Sequence, residues 1–222
     1  MATIVYAIPH QDDETLSMGA SIRTHLDAGH EVHLLLLSTG VNSGVRTQLG
    51  LSRPRFTAAR DDEFRRAAGA LGVAPRRVHL SRPHVPDGAL SVQAAQDAIE
   101  AWLAEHPGAW LKTYSHLSWP GRHADHSNTG QAAVNLLRSG VVDNLRLYVE
   151  PWQTTAFRAA HPGERISQTR APRPERLRGA LDEYARVGPG MYGIGYRSVR
   201  TAFDHVRGEQ SSWYHLPPAA GR

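Results

Sequence analysis

The chain has no cysteine in its 222 residues. That absence excludes disulfides, thiolate zinc clusters, iron–sulfur centres and a cysteine nucleophile together, so any metal has to be held by His, Asp or Glu. Lysine is reduced to one residue, Lys112, and positive charge rests on arginines scattered along the chain, clustered only as the pairs Arg65 with Arg66 and Arg76 with Arg77. A formal net charge of +4 spread in this way, with no recognised binding motif beside it, argues against a nucleic-acid partner. No window approaches the ~18 uninterrupted apolar residues of a membrane span. The longest dense run, Val32 to Leu37, contains His33. The segment Thr3 to Ile8 follows the first residues directly, without a basic flank, a long apolar region or a small-residue cleavage site, so a cytoplasmic location is expected. Low complexity, internal repeats and a splitting linker are also missing. With 41% hydrophobic and 21% charged residues, the expectation is one folded domain over residues 1–222, and a homo-oligomer stays open. The abundant residue is histidine, present 13 times.

Apolar spacing gives an alternation of strands and helices. Thr3 to Ile8 reads as a strand that stops at Pro9, because proline cannot donate to a sheet ladder. From Thr15, the positions Leu16, Met18, Ala20, Ile22 and Leu26 fit one helical face, with Gly29 as the stop. Glu31 to Ser38 is apolar nearly throughout, as expected of a strand covered on both faces. Gly40 to Pro54 reads as a long loop, followed by a helix from about Thr57 to Leu71 and a short strand around Arg77 to Leu80. The spacing further predicts a helix over Ser91 to Glu105, a strand over Trp110 to Ser115, a helix over Thr129 to Ser139 and a strand over Leu145 to Val149. The last 70 residues show one clear helix, about Pro174 to Val187. This order predicts an α/β fold: a Rossmann-like, mostly parallel sheet with helices on both faces and the active site at the carboxyl ends of the strands. The site is then expected where Pro9 to Glu14, Gly40 to Pro54 and His116 to His126 meet.

Two short motifs fall at that edge. His10, Gln11, Asp12, Asp13 and Glu14 lie between a strand and a helix, where Asp12 or Asp13 could equally act as a helix cap. His123, Ala124, Asp125 and His126 precede another helix, where Asp125 or Ser127 could do the same. Each motif alone fits a surface turn. Together they bring imidazoles and carboxylates to one edge of one sheet, and three such ligands with one open position are what a catalytic zinc site requires in the absence of thiolate. Beside them, Asn42 and Arg46 in the long loop are candidates for substrate hydroxyl or phosphate contacts, with plain loop solvation as the alternative. Trp110, Trp119 and Trp152 are candidates for an apolar wall, Trp119 for stacking on a ligand ring and Trp110 rather for core filling. His25, His30 and His33 are assigned to packing or surface, whereas His79, His84 and His116 lie near strand ends and could line the crevice.

The two motifs resemble those of the LmbE-like zinc deacetylases, which include the N-acetylglucosaminyl-phosphatidylinositol de-N-acetylases. The family signature His-Pro-Asp-Asp-Glu is similar to His10 to Glu14, with Gln11 in place of proline. The signature His-Pro-Asp-His is similar to His123 to His126, with Ala124 in place of proline. Weaker matches at Arg60 with Glu63, at Ala67 and Ala68, at Leu71 to Val73, at Pro86 to Gly88 and at Arg178 to Tyr184 extend the resemblance over about Thr3 to Tyr184. It implies one catalytic Zn2+ held by His10, Asp13 and His126. It further implies Asp12 as general base, His123 as oxyanion stabiliser or acid toward the leaving amine, and Asp125 as the residue that orients His123. Glu14 is expected to satisfy neighbouring donors rather than perform chemistry. The implied substrate is a small molecule, an N-acylated amino sugar or glycoconjugate. Another amide or an ester, or a non-catalytic ligand-binding domain, are the competing readings.

Overall fold

A computed structural model describes residues 1–217, without the side chains of residues 81–84; the expectation for His84 therefore lies outside the described residues. The elements run β1 Thr3–Ile8, α1 Asp13–Leu16, α2 Gly19–Asp27, β2 Glu31–Ser38, α3 Val45–Gln48, α4 Arg53–Leu71, β3 Val78–Val85, α5 Val92–Glu105 and β4 Trp110–Tyr114. They continue as α6 Ala124–Arg138, β5 Leu145–Val149, α7 Thr154–Ala160, β6 Ser167–Arg170, α8 Pro174–Ala185, the two-residue strands β7 Val187–Gly188 and β8 Met191–Tyr192, α9 Ile194–Ser198, α10 Arg200–Glu209 and β9 Ser211–His215.

The main sheet has seven strands in the order β3-β2-β1-β4-β5-β9-β6. The first five are mutually parallel, and β9 runs antiparallel between β5 and β6. The expected α/β fold is therefore the one observed. Alternate residues of each strand feed two cores. Ile4, Tyr6 and Ile8 of β1 pack with Val32, Leu34 and Leu36 of β2 under α2, α4, α8 and α10. Val5 and Ala7 pack with Leu35, Leu37, Leu111 and Leu147 under α5 and α6. Strand order reverses at β1, which has β2 on one side and β4 on the other. Such a switch point leaves a crevice at the carboxyl ends of the two strands, because the chain leaves them toward opposite faces. The first motif follows β1 directly, and the second follows β4 after the irregular residues 115–122.

Several expected boundaries shift. The helix expected from Thr15 begins at Asp13 and is broken at Ser17 and Met18. The loop Gly40 to Pro54 contains α3, and β3 continues to Val85. The helix expected from Thr129 begins at Ala124, because the His123 ring caps it by accepting the Asp125 N–H at 3.2 Å. The region beyond Tyr184, where the sequence shows no pattern, supplies α9, α10 and the sheet strand β9. Among the described residues no helix is long and apolar enough to cross a membrane.

Gly130 sets how closely α6 approaches β4. A Cβ there would lie 2.5 Å from Tyr114 O, Ser115 C and His116 N, all backbone atoms that cannot swing away. Gly130→Ala is expected to cost about 1–3 kcal/mol by overpacking, read as a lowered urea midpoint, and to push His126 away from the end of β1. An unchanged midpoint would mean that α6 has freedom the packing does not show.

Candidate active site

At the crevice, three side-chain atoms from the turn after β1, the start of α1 and the first turn of α6 converge. His10 Nδ1 lies 3.2 Å from Asp13 Oδ2, His126 Nε2 lies 3.3 Å from the same oxygen, and the two ring nitrogens are 3.2 Å apart. A tetrahedral zinc with bonds of ~2.0–2.1 Å spaces its ligand atoms by about 3.3–3.4 Å. The triangle therefore has the edge lengths of three corners of such a site. His10, Asp13 and His126 form one metal-capable group among the described residues, and His10, His123 and Asp125 form another.

The outer nitrogens of both rings meet carboxylates. His10 Nε2 lies 3.0 Å from Asp125 Oδ2, and His126 Nδ1 lies 2.7 Å from Glu150 Oε1. A carboxylate behind a histidine fixes its tautomer and raises its basicity as a ligand. Asp125 is itself pinned by the backbone N–H groups of Gly88, at 2.7 Å, and Leu90, at 3.3 Å. Glu150, at the end of β5, accepts from Arg122 Nη1 at 2.9 Å. Around the triangle stand four buried carboxylates, Asp12, Asp13, Asp125 and Glu150, and two buried guanidinium groups, Arg60 and Arg122. The excess of negative charge favours a dication at the centre. Burial alone would lower the His10 pKa, yet the hydrogen bonds to Asp125 and Asp13 carry it up to about 10. The same field holds Asp13 below the usual carboxylate range: burial pushes it up, and His126 and His10 outweigh that push.

Asp12 stands beside the triangle and is not one of its corners. Its backbone is left-handed, φ 109°, in a residue with a Cβ, a strain on the order of 1–3 kcal/mol. It occupies the cap position of α1 without making a side-chain cap hydrogen bond. Its Oδ2 instead accepts from Arg60 Nη2 at 3.1 Å. Burial lifts the Asp12 carboxyl above its ordinary range, with Arg60 pulling the other way. Glu14 is buried and satisfies local donors, taking the Asp12 N–H at 3.2 Å and the Tyr184 hydroxyl at 2.9 Å. Gln11, the residue in place of proline, ties the turn to the chain beyond β2 by donating to Thr39 O at 3.2 Å and Asp61 Oδ1 at 2.8 Å. His123 is half-exposed at the mouth, its ring edge-on to His10 at 4.6 Å between centroids.

A cavity of about 410 Å3 opens above these groups. Its wall combines the three expected segments, through His10, Ser43 and His123 among others, with Asp87, Glu150, Trp152, Gln153, Ser198 and Val199.

Several expectations are displaced. The Asp125 carboxylate lies on His10, and its Oδ2 is 4.0 Å from His123 Nδ1. Trp119 is buried against Phe157 with the Arg122 guanidinium 3.9 Å above its ring, so Trp152 supplies the indole of the cavity wall. Asn42 is occupied in holding two loops together, its N–H on Asp87 Oδ1 at 2.6 Å and its amide on Asp87 O at 2.7 Å. Arg46 lies outside the cavity lining, on a helical turn the sequence does not signal. His116 is also outside that lining. His25 packs against Tyr6, and His33 stacks on His79. Trp110 is partly buried against the core beside His30. Glu150 and Arg122 were legible only as an acid after a buried strand and a base before the second motif.

A Rossmann-like sheet with an imidazole–carboxylate triangle at its switch point defines the class: an α/β protein with a candidate metal centre. Residues 5–137 match the GlcNAc-PI de-N-acetylase (PIG-L) family, and the chain belongs to it. No curated protein matches the chain. Among solved structures it is similar to the A40926 pseudoaglycone deacetylase Dbv21, at 20% identity, TM-score 0.73 and 99% coverage of both chains. It is similar to the N,N'-diacetylchitobiose deacetylase of Pyrococcus horikoshii at 16% identity and TM-score 0.67, covering 97% of this chain and 84% of that one. GalB, the 4-carboxy-2-hydroxymuconate hydratase of Pseudomonas putida KT2440, shares the fold at 14% identity and TM-score 0.64, with 100% and 99% covered. The fold thus carries more than one chemistry, and the site has to choose between them.

Proposed function

We propose that the protein is a zinc-dependent N-deacetylase that removes an acetyl or other short acyl group from an amino-sugar-containing small molecule. The observation that carries this reading is the donor triangle of 3.2, 3.3 and 3.2 Å with a carboxylate that is not a ligand, Asp12, beside it. His10, Asp13 and His126 would hold the ion, which when bound would supply Lewis acidity toward the amide carbonyl and a lowered pKa, ~7, for water. Asp12 Oδ2, steadied by Arg60, takes the proton of the attacking water. His123 accepts the Asp125 N–H on Nδ1, which leaves Nε2 as the nitrogen that can carry a proton toward the carbonyl oxygen or the leaving nitrogen. Asp125 acts on His10, setting the nitrogen that faces the ion. The products are a carboxylate and a free amine.

Similarity to proteins acting on a pseudoaglycone and on diacetylchitobiose supports an acylated amino sugar, alone or within a larger glycoconjugate. The cavity suits such a ligand. Its volume falls within the ~300–1,000 Å3 of small-molecule sites, with hydroxyl and carboxylate groups at Ser43, Ser198 and Asp87 and an aromatic face at Trp152. The test is a panel of N-acetyl amino sugars, their glycoconjugates, N-acyl amino acids and simple esters, incubated with the zinc-loaded protein. The expected result is loss of one acyl group and a new primary amine on the amino sugars. Cleavage of esters or N-acyl amino acids with every amino sugar untouched would move the protein to another hydrolytic substrate class.

A further inference from the structure

One side chain outside the triangle touches two of its three corners. Tyr114, the last residue of β4, is fully buried. Its hydroxyl donates to Asp13 Oδ1 at 2.8 Å, and its ring lies flat on the His126 imidazole, 4.0 Å between centroids and 6° from parallel. The hydroxyl is also 2.7 Å from Ser17 Oγ. An ionised carboxylate only accepts, so the single tyrosine proton is committed to Asp13, and Ser17 must be the donor in the second bond. The chain Ser17 to Tyr114 to Asp13 therefore runs in one direction. It occupies Oδ1 and leaves Oδ2 as the oxygen that faces His10 and His126.

The ring does a complementary task. Stacking fixes the plane of the His126 imidazole, while Glu150 on Nδ1 fixes its rotation within that plane, so Nε2 is aimed at Asp13 Oδ2. Tyr114 is held in turn by its strand, paired with Tyr148 of β5 and covered by the Arg122 guanidinium at 5.5 Å. The break of the first helix at Ser17 and Met18 has a consequence here, since it puts the Ser17 hydroxyl on Tyr114.

We propose that Tyr114, backed by Ser17, is a positioning residue that presets Asp13 and His126 for a divalent ion, each through a different part of the side chain. The inference rests on the zinc reading above. Its test is zinc affinity by competition with a chromophoric chelator, together with the visible spectrum of the cobalt-substituted protein, which reports how many ligand atoms surround the ion.

Tyr114→Phe keeps the ring and removes the hydroxyl. It is expected to fold, to bind zinc about tenfold more weakly, and to change the cobalt spectrum as Asp13 Oδ1 becomes free to approach the ion. Tyr114→Leu removes both contacts and is expected to weaken binding further. Ser17→Ala leaves the tyrosine without its donor and is expected to cost about threefold. If Tyr114→Phe failed to fold, Ser17→Ala would decide alone. Wild-type affinity and an unchanged cobalt spectrum in the folded Tyr114→Phe protein, or unchanged affinity in Ser17→Ala where that variant decides, would overturn the inference and leave the zinc reading standing. A wild-type chain that binds no zinc would overturn both.

Discussion

Alanine at His126, or at His10, is expected to strip the protein of zinc and of activity together. Each substitution removes one of three corners and orphans what stands behind it. At His126 the Glu150 carboxylate loses the ring nitrogen 2.7 Å away, and Tyr114 loses its stacking partner. At His10 the Asp125 carboxylate loses the nitrogen 3.0 Å away. Loss of an outer partner of a metal ligand typically costs ~10–100-fold in affinity, and loss of the ligand itself should exceed that. Elemental analysis after dialysis is the check. Full zinc retention in both variants would show that the triangle is not where the ion sits.

Asp12→Asn should separate binding from chemistry. The amide keeps the volume of the carboxylate, and its oxygen can still accept from Arg60. No corner of the triangle changes, so zinc content is expected to stay at the wild-type level. Turnover should fall by roughly 10²–10⁴, the usual worth of a positioned general base. The structure gives a further reason to expect a large effect. Asp12 holds a left-handed backbone at φ 109° and leaves its cap position unused, a cost that packing for stability alone does not explain. Wild-type turnover in the Asn variant would transfer the role of base to another group, and His123 would be the next residue to replace.

The parts of this architecture legible in the sequence are those set by local pattern. β1 and β2 stop where Pro9 and the Gly40 loop require, and the two motifs follow buried strands, which fixes them at one sheet edge. What the sequence hides depends on contacts between distant segments. β9 has the polar sequence Ser-Ser-Trp-Tyr-His and becomes a strand only by pairing with β5 and β6 on either side. The role of Asp125 depends on which histidine its carboxylate reaches across the crevice, and the family resemblance implies His123 while the fold delivers His10. Trp119 reads as a ring platform from its place before the second motif. The guanidinium of Arg122, only three residues on, instead folds over it and seals it inside. Tyr114 reads simply as a buried strand residue, since nothing local shows that its hydroxyl meets Asp13.

The most direct measurement is acyl release from an N-acetyl amino sugar substrate as zinc is titrated into protein stripped with a chelator. The account predicts no release from the stripped protein and a rise that saturates at one zinc ion per chain. Undiminished release by the stripped protein, with zinc content verified as absent, would contradict it.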